Sequence, residues 1–144
     1  MNKNNLKHAR TCVYNVNYHI VWSVKYRKKV LTSEIEVFLK ELFQEIGKEK
    51  EFEVVLMEVG EKDHIHVFAS AHPKIAPSYI VKMLKGISAR KLFIQFPELK
   101  KNLWGGHLWN SSFYLETVGS ISEEAIKMYI ENQKKGGKGH DAYV

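Results

Sequence analysis

The sequence predicts an α+β fold in which two helices cover one face of an antiparallel sheet. Strand-like alternation and helical periodicity follow one another along the chain in the order strand, helix, strand, strand, helix, strand. The two middle strands are separated by only a few residues, and one more helical segment follows the last strand. Helices on a single sheet face leave the opposite face available for a ligand.

The first predicted strand spans residues 12–22, where apolar and polar side chains alternate. A basic turn, KYRKK, leads to an amphipathic helix that Ser33 and Glu36 would open as a capping box and that ends near Gly47. The strand's apolar side carries Tyr14, Val16, Tyr18, Ile20 and Trp22, and its polar side carries Asn15, Asn17 and His19.

Two further strands, 52–59 and 64–70, are rich in β-branched and aromatic residues, and residues 60–63 between them suit a hairpin loop. A second helical pattern follows Pro77 and stops near Pro97. A last strand is predicted at 113–118, after which Ser120 and Glu123 form another capping box that opens a final helix to about residue 135.

This order is that of the ferredoxin-like (RRM-like) β-α-β-β-α-β sandwich, with an additional C-terminal helix. The hydrophobic period assigns Ile65 and Val67 to the helix-covered face. His64 and His66 then project from the open face, beside the polar side of the first strand.

Length and composition predict a single domain over residues 1–144, with a core at about 11–135 and a flexible tail at 136–144. The net charge of +6 favours an anionic partner without choosing among nucleic acid, membrane surface and acidic protein. Cys12 is the only cysteine, which excludes an intramolecular disulfide and a cysteine-rich zinc site. The sequence contains no signal-peptide pattern and no membrane-length apolar run, so we expect a cytoplasmic protein.

The pair His64 and His66 has two interpretations: hydrogen-bonded or surface histidines, or two ligands of a metal ion that needs further ligands. The final helix offers candidates, because Tyr129 and Gln133 are four residues apart and share a helical face. A phenol is a candidate nucleophile and an amide oxygen a candidate ligand. Alternatively, Tyr129 packs at the edge of an apolar stripe and Gln133 is solvated.

Five segments resemble, in order and spacing, the single-tyrosine HUH transposases, the IS-two-hundred-like TnpA group: HIVWSVKYRKKVL, DHIHVF, KGISARKLF, WGGHLWNSSFYLETVG and YIENQ. The similarity covers about residues 11–135. It implies that His64, His66 and Gln133 bind a divalent metal ion and that Tyr129 attacks DNA. The implied product is a 5′-phosphotyrosine linkage with a free 3′ hydroxyl.

The resemblance also implies a transposase that acts on single-stranded DNA hairpins at transposon ends, as a homodimer whose active sites are completed in trans. Gly119 would then be the hinge of the tyrosine helix, or simply a strand-to-helix turn. Mixed nitrogen and oxygen ligation suggests Mg²⁺ in the cell, with Mn²⁺ as a substitute. Asp63 is expected to orient His64.

Two basic clusters are candidates for DNA contact, although each is equally compatible with a solvated surface. Three aromatic side chains near these charges, Tyr26, Trp104 and Trp109, would either stack on unpaired bases or pack within the protein. The clusters are Lys25, Arg27, Lys28 and Lys29 after the first strand, and Lys82, Lys85, Arg90 and Lys91 on the second helix.

Two other functions remain open from the sequence. A non-catalytic module of the same fold would bind single-stranded nucleic acid on its open sheet face. An HUH endonuclease that acts on host repeat hairpins would carry the same catalytic residues as a transposase.

Overall fold

The computed structural model describes residues 6–119, which contain a four-stranded antiparallel sheet with two long helices on one face. This confirms the predicted ferredoxin-like class. The predicted final helix, with Ser120, Tyr129 and Gln133, and the predicted tail lie outside the described residues. The strands are β1 (Lys7–His8), β2 (Val13–Tyr14), β3 (Asn17–Ser23), β4 (Phe52–Gly60), β5 (His64–Ala71) and β6 (Tyr114–Val118), and the helices are α1 (Ser33–Lys50), α2 (Pro77–Gln95) and α3 (Leu99–Asn102).

The main sheet has the order β4-β5-β3-β6, and every neighbouring pair is antiparallel. β3 and β5 are therefore the two central strands. In the register, His19 lies opposite Phe68, and Val21 lies opposite His66. On its other side, β3 places His19 opposite Glu116. Residues that are far apart in sequence are thus brought onto one sheet face.

The first strand is not continuous from residue 12 to 22, and this part of the prediction is wrong. β2 pairs with β1 in a separate two-stranded sheet, and the main-sheet strand begins only at Asn17. Between them, the Asn17 side-chain amide donates to the Asn15 side-chain oxygen at 2.6 Å. Two-residue strands are too short to show a period, so the sequence pattern could not reveal this small sheet.

The apolar core lies between the helices and the sheet face that carries Ile20, Trp22, Ile65 and Val67. These four side chains are fully buried, as the alternation predicted. Burying each stabilises the fold by about 1.5–3 kcal/mol relative to exposure. The helices contribute Ile35, Leu39, Leu42, Phe43 and Ile46 from α1, and Ile80, Val81, Leu84 and Leu92 from α2.

The N-cap of helix α1 lies one residue before the predicted one. Thr32 is the N-cap: its backbone is extended, its carbonyl accepts from Glu36 N at 2.8 Å, and its hydroxyl accepts from Ile35 N at 3.4 Å. Ser33 is the first helical residue, so its assignment as the cap is wrong. Thr and Ser both suit this position, and the pattern alone could not separate adjacent candidates.

The hairpin between β4 and β5 closes through a tight turn at Glu61 and Lys62, both of which have positive φ, 50° and 62°. The backbone N–H of Asp63 donates to Gly60 O at 3.1 Å. Left-handed backbone at two non-glycine residues is unfavourable and needs support. Backbone bonds from Leu31 N to Lys62 O (2.9 Å) and from Val24 N to Asp63 O (2.8 Å) supply that support.

The segment after α3 returns along the end of β3. Asn110 N donates to Ser23 O at 2.9 Å, and Lys25 N donates to Leu108 O at 2.8 Å. These bonds tie the segment to the 3₁₀ turn at Lys25–Arg27. Within residues 6–119, no helix is long and apolar enough to span a bilayer.

Candidate metal and nucleic-acid site

The sheet face opposite the helices carries a row of polar side chains on its central strands. His64 and His66 of β5 and His19 of β3 project from this face, because their neighbours Ile20, Ile65 and Val67 occupy the core. The predicted facing of the histidine pair is therefore confirmed. All three imidazoles are also buried, with 4%, 1% and 0% of their surface exposed.

His66 is held through a chain of side-chain hydrogen bonds that crosses β3. Nδ1 of His66 lies 3.1 Å from Nε2 of His19, and Nδ1 of His19 lies 3.0 Å from Oε1 of Glu116. The Tyr114 hydroxyl donates to the other Glu116 oxygen, Oε2, at 2.9 Å. The His19 ring also stacks on Phe68, with centroids 4.4 Å apart and planes at 8°. The ring in the middle of the chain is thus fixed in both position and plane.

His64 is held by its sequence neighbour. Nδ1 of His64 lies 2.7 Å from Oδ1 of Asp63, a short distance typical of a charge-assisted bond. Arg27 Nη2 lies 3.3 Å from the same oxygen and 3.5 Å from Nδ1 of His64. Since Nδ1 donates its proton to Asp63, the guanidinium bonds the carboxylate and not the ring. Asp63 thus has the geometry of the orienting role expected for it.

Glycine at position 60 leaves room for the His64 ring. Gly60 is the cross-strand partner of His64. A Cβ atom at position 60 would collide with Nε2 of His64 and lie 2.5 Å from Cε1. Because the ring is buried and bonded to Asp63, it could not move aside without cost.

Four left-handed non-glycine residues lie in the two turns that meet at Asp63. Within residues 6–119 there are five such residues, of which Glu61 and Lys62 immediately precede Asp63. Tyr26 (φ 60°) and Arg27 (φ 52°) belong to the 3₁₀ turn whose guanidinium bonds the Asp63 carboxylate. Strained backbone of this kind costs on the order of 1–3 kcal/mol per residue and concentrates where a site must be held in place.

The two imidazoles fit a metal ion as part of a larger ligand set. Both Nδ1 atoms bond protein partners, so Nε2 is the ring nitrogen that each would present to an ion. An ion about 2.1 Å from each nitrogen sits about 3.2 Å from each ring centre. The His64 and His66 centroids are 5.2 Å apart, a separation that two rings sharing one ion can adopt. No group of three or more His, Cys, Asp or Glu side chains suitable for a metal occurs in the described part of the chain, so further ligands are required.

The first basic cluster divides into two kinds of side chain. Lys28 and Lys29 are exposed, as contact with phosphate would need. Arg27 bonds Asp63, and the Lys25 ammonium lies 5.6 Å from the centre of the Tyr26 ring. The structure therefore gives Arg27 an intramolecular role that the sequence did not suggest.

The second basic cluster divides in the same way. Lys82, Arg90 and Lys91 on α2 are exposed. Lys85 instead donates from Nζ to the carbonyls of Asn110 (2.6 Å) and Ser112 (3.4 Å), which anchors the segment before β6. Burial lowers the pKa of the Lys85 ammonium below its ordinary 10.5 through desolvation.

The aromatic candidates have different surroundings. Tyr26 is 67% exposed and could stack on a base. Trp109 is a core residue: it packs edge-on against Trp22, and its indole N–H donates to Ser88 Oγ at 2.9 Å. Base stacking by Trp109 is therefore the wrong interpretation. Trp104 belongs to a 3₁₀ turn at Trp104–Gly106.

Sequence reasoning missed His19, Glu116 and Gly60 as parts of the site. The only signal for His19 was its place on the polar side of the first strand. Glu116 and His66 are 97 and 47 positions away from it, so only the strand register joins the three. Tyr129 and Gln133 lie beyond residue 119, and their positions relative to the histidine pair stay predictions.

Comparison with known proteins identifies the family that this chain matches. The family model for IS200-like transposases matches residues 12–133. The ISDra2 transposase TnpA of Deinococcus radiodurans is 44% identical over 128 residues, which cover 89% of this chain and 91% of that protein. The transposase for insertion sequence element IS200 of Salmonella typhimurium is 30% identical over 134 residues, 91% of this chain and 86% of that protein.

Solved structures agree with these matches. A crystal structure assigned to a transposase from D. radiodurans R1 superposes with a TM-score of 0.72 and 41% identity, and covers 88% of this chain and 97% of that one. A REP-associated tyrosine transposase bound to a REP hairpin gives a TM-score of 0.58 at 12% identity, over 91% of this chain and 74% of that one. At that identity the second likeness concerns the fold alone.

Proposed function

The chain belongs to the IS200-like transposase family of HUH single-strand endonucleases and strand transferases, and on this premise we propose that it moves an insertion sequence. In this proposal it cuts and rejoins single-stranded DNA at hairpin-bearing transposon ends. His64, His66 and Gln133 hold a divalent metal ion, and Tyr129 is the nucleophile. The observation that carries the proposal is the buried histidine pair, with both Nδ1 atoms bonded to protein partners on the polar sheet face.

The protein's own groups account for the covalent chemistry. The Tyr129 phenol oxygen attacks the phosphorus, the new O–P bond forms, and the bond from phosphorus to the 3′ oxygen breaks. A phenol with a pKa of about 10 gives up its proton during the attack, and the departing 3′ oxygen takes one up. A divalent ion held by His64, His66 and Gln133 would supply positive charge beside the non-bridging phosphate oxygens, whose negative charge otherwise repels a nucleophile. The phosphotyrosine bond retains the energy needed for rejoining, so no nucleotide cofactor is required.

The donor set bears on the identity of the ion. Two imidazole nitrogens and one amide oxygen leave positions for phosphate and water. Mg²⁺ is the ion proposed in the cell, and Mn²⁺ should substitute well because it accepts nitrogen ligands more readily.

The DNA strand is proposed to lie across the exposed cations. Within residues 6–119, the exposed members of the two basic clusters are the candidates for phosphate contact: Lys28 and Lys29 after β3, and Lys82, Arg90 and Lys91 on α2. Tyr26 is the proposed base-stacking residue. The working form is proposed to be a homodimer, with Tyr129 completing the site in trans, and to act in the cytoplasm, where its DNA lies.

A test of this function replaces Tyr129 by Phe, and Tyr26 by Phe as a matched control on an exposed tyrosine. Single-stranded oligonucleotides from the DNA flanking the gene are incubated with full-length protein and Mn²⁺, and covalent adducts are resolved by denaturing electrophoresis. The wild type and Tyr26→Phe should form the adduct. Tyr129→Phe should form none while binding the hairpin within a few-fold of the wild type.

Three results would overturn the proposal. An adduct that persists in Tyr129→Phe would show that another residue attacks. Hairpin binding by the wild type without any adduct would instead favour the non-catalytic binding module. Adducts formed only with host repeat hairpins, and not with the flanking ends, would point to the repeat endonuclease.

A further inference from the structure

The hydrogen-bond chain from Glu116 through His19 to His66 has only one neutral arrangement of protons that suits metal binding. Glu116 is an acceptor, so Nδ1 of His19 carries the proton that bonds Oε1. Nε2 of a neutral His19 is then an acceptor, and Nδ1 of His66 must donate to it across 3.1 Å. This leaves the lone pair of His66 on Nε2.

We infer that His19 and Glu116 are positioning residues for the metal site, since their hydrogen bonds hold His66 as the Nδ1–H tautomer that presents Nε2 to the ion. This inference rests on the proposed function of His66 as a ligand. It adds His19 on β3 and Glu116 on β6 to the residues that support the metal site.

The packing around His19 supports a positioning role. His19 is fully buried, and its ring lies nearly parallel to both the Phe68 ring (8°) and the His66 ring (9°). Rotation of the ring would break the hydrogen bonds of both of its nitrogens. Glu116 is held in turn by the Tyr114 hydroxyl at 2.9 Å.

The two proposed ligands are therefore oriented by different routes. His64 bonds a carboxylate directly, at Asp63. His66 is linked to a carboxylate, at Glu116, through the intervening imidazole of His19. Groups that orient metal ligands typically change metal affinity by 10–100-fold when they are mutated, and the inference assigns an effect of that size to His19.

The test compares His19→Phe with His19→Gln in the full-length protein. Phe keeps a flat ring against Phe68 but offers no acceptor to His66. Gln places an amide oxygen near the position of Nε2 and restores the acceptor. Two quantities are measured: the His66 tautomer in metal-free protein, by long-range ¹H–¹⁵N NMR at a pH well above the usual histidine pKa of about 6.5, and the affinity for Mn²⁺ alone, by EPR of free Mn²⁺.

His66 in the wild type should be protonated at Nδ1. In His19→Phe it should shift to the Nε2–H tautomer, and Mn²⁺ affinity should fall about 10–100-fold, whereas His19→Gln should retain both properties. An Nε2-protonated His66 in the wild type, or an unchanged tautomer in His19→Phe, would overturn the inference. So would an equal loss of affinity in both variants, because that would show that an acceptor for Nδ1 of His66 does not restore metal binding.

A second variant decides the question if His19→Phe does not fold. The Glu116 side chain is 32% exposed on the edge strand β6, so Glu116→Ala should be tolerated. This change removes the acceptor for His19 Nδ1, and the His66 tautomer should become mixed. A purely Nδ1-protonated His66 in Glu116→Ala would contradict the inferred role of the hydrogen-bond chain.

Failure of the proposed function gives a different result. If His66→Ala binds Mn²⁺ as tightly as the wild type, His66 is not a ligand and the metal role is wrong. The tautomer shift in metal-free His19→Phe tests only the hydrogen-bond chain, so each idea has its own readout.

Discussion

The two faces of the central strands are equally buried but are stabilised differently. The helix-covered face is held by non-directional apolar contacts, for which volume matters more than orientation. The opposite face buries polar groups, each of which needs a partner at a specific distance and angle. The first face carries Tyr18, Ile20, Trp22, Ile65, Val67 and Ala69, and the second carries Asn17, His19, Ser23, His64, His66 and Ser70 together with the apolar Val21 and Phe68. The difference teaches that burial alone does not separate residues that maintain the fold from residues that build the site.

The largest effect should come from replacing, one at a time, two adjacent residues of β5 whose side chains point to opposite faces of the sheet. Ile65→Ala should lower the free energy of unfolding by about 2–5 kcal/mol, because it leaves a cavity among fully buried side chains. His66→Ala should cost less stability but should abolish the stabilisation that the wild type gains from Mn²⁺. Urea unfolding with and without Mn²⁺ measures both quantities.

The response of each variant to Mn²⁺ decides whether the two faces have separate roles. Ile65→Ala should keep the Mn²⁺-dependent increase in stability, although its baseline is lower. If His66→Ala keeps that increase and Ile65→Ala loses it, the assignment of structure to one face and metal binding to the other is wrong.

The apolar face could be predicted from the sequence because its information is local and redundant. Alternation placed Ile65 and Val67 toward the helices, and the short loop at 60–63 made β4 and β5 neighbours. Errors occurred where the pattern was too short or ambiguous, as in the break before Asn17. The sequence also left open whether Trp109 and Lys85 contact nucleic acid or the protein itself. The structure packs Trp109 in the core and bonds Lys85 to the Asn110 carbonyl.

The polar face could be predicted only in part, for a physical reason. The histidine pair was visible because both members lie on one strand with a spacing of two residues. The partners of His66 depend on the register of β5, β3 and β6, which no local pattern specifies. Gly60 was taken as a loop residue, yet it ends β4 opposite His64, where the absence of a side chain is what matters.

An intermediate effect is expected from a methyl group added to Gly60. Gly60→Ala should displace the His64 ring, because the new Cβ would collide with Nε2, and Mn²⁺ affinity should fall at least about 10-fold, as for other disturbed ligand supports. Isothermal titration with Mn²⁺ measures the change.

Gly86→Ala is the matched control for this prediction. Gly86 lies within α2, and the nearest atom to an added Cβ is a guanidinium nitrogen of Arg90 at 4.0 Å. This variant should bind Mn²⁺ normally and gain about 0.4–1 kcal/mol of stability. Normal Mn²⁺ affinity in Gly60→Ala would show that the His64 ring tolerates crowding and that the glycine is not needed for the site.

The smallest effect concerns α1, which covers only the apolar face. Thr32→Ala should lower the free energy of unfolding by about 0.5–1 kcal/mol, because it removes the side-chain acceptor of Ile35 N. Ser33→Ala should change it by less than about 0.5 kcal/mol, since Ser33 is already inside the helix. Thermal or urea unfolding distinguishes the two variants. A larger loss of unfolding free energy in Ser33→Ala than in Thr32→Ala would show that Ser33 is the N-cap. Neither change touches the polar face, so both variants should keep the wild-type response to Mn²⁺, whereas a lost response would mean that the two faces are coupled through the sheet.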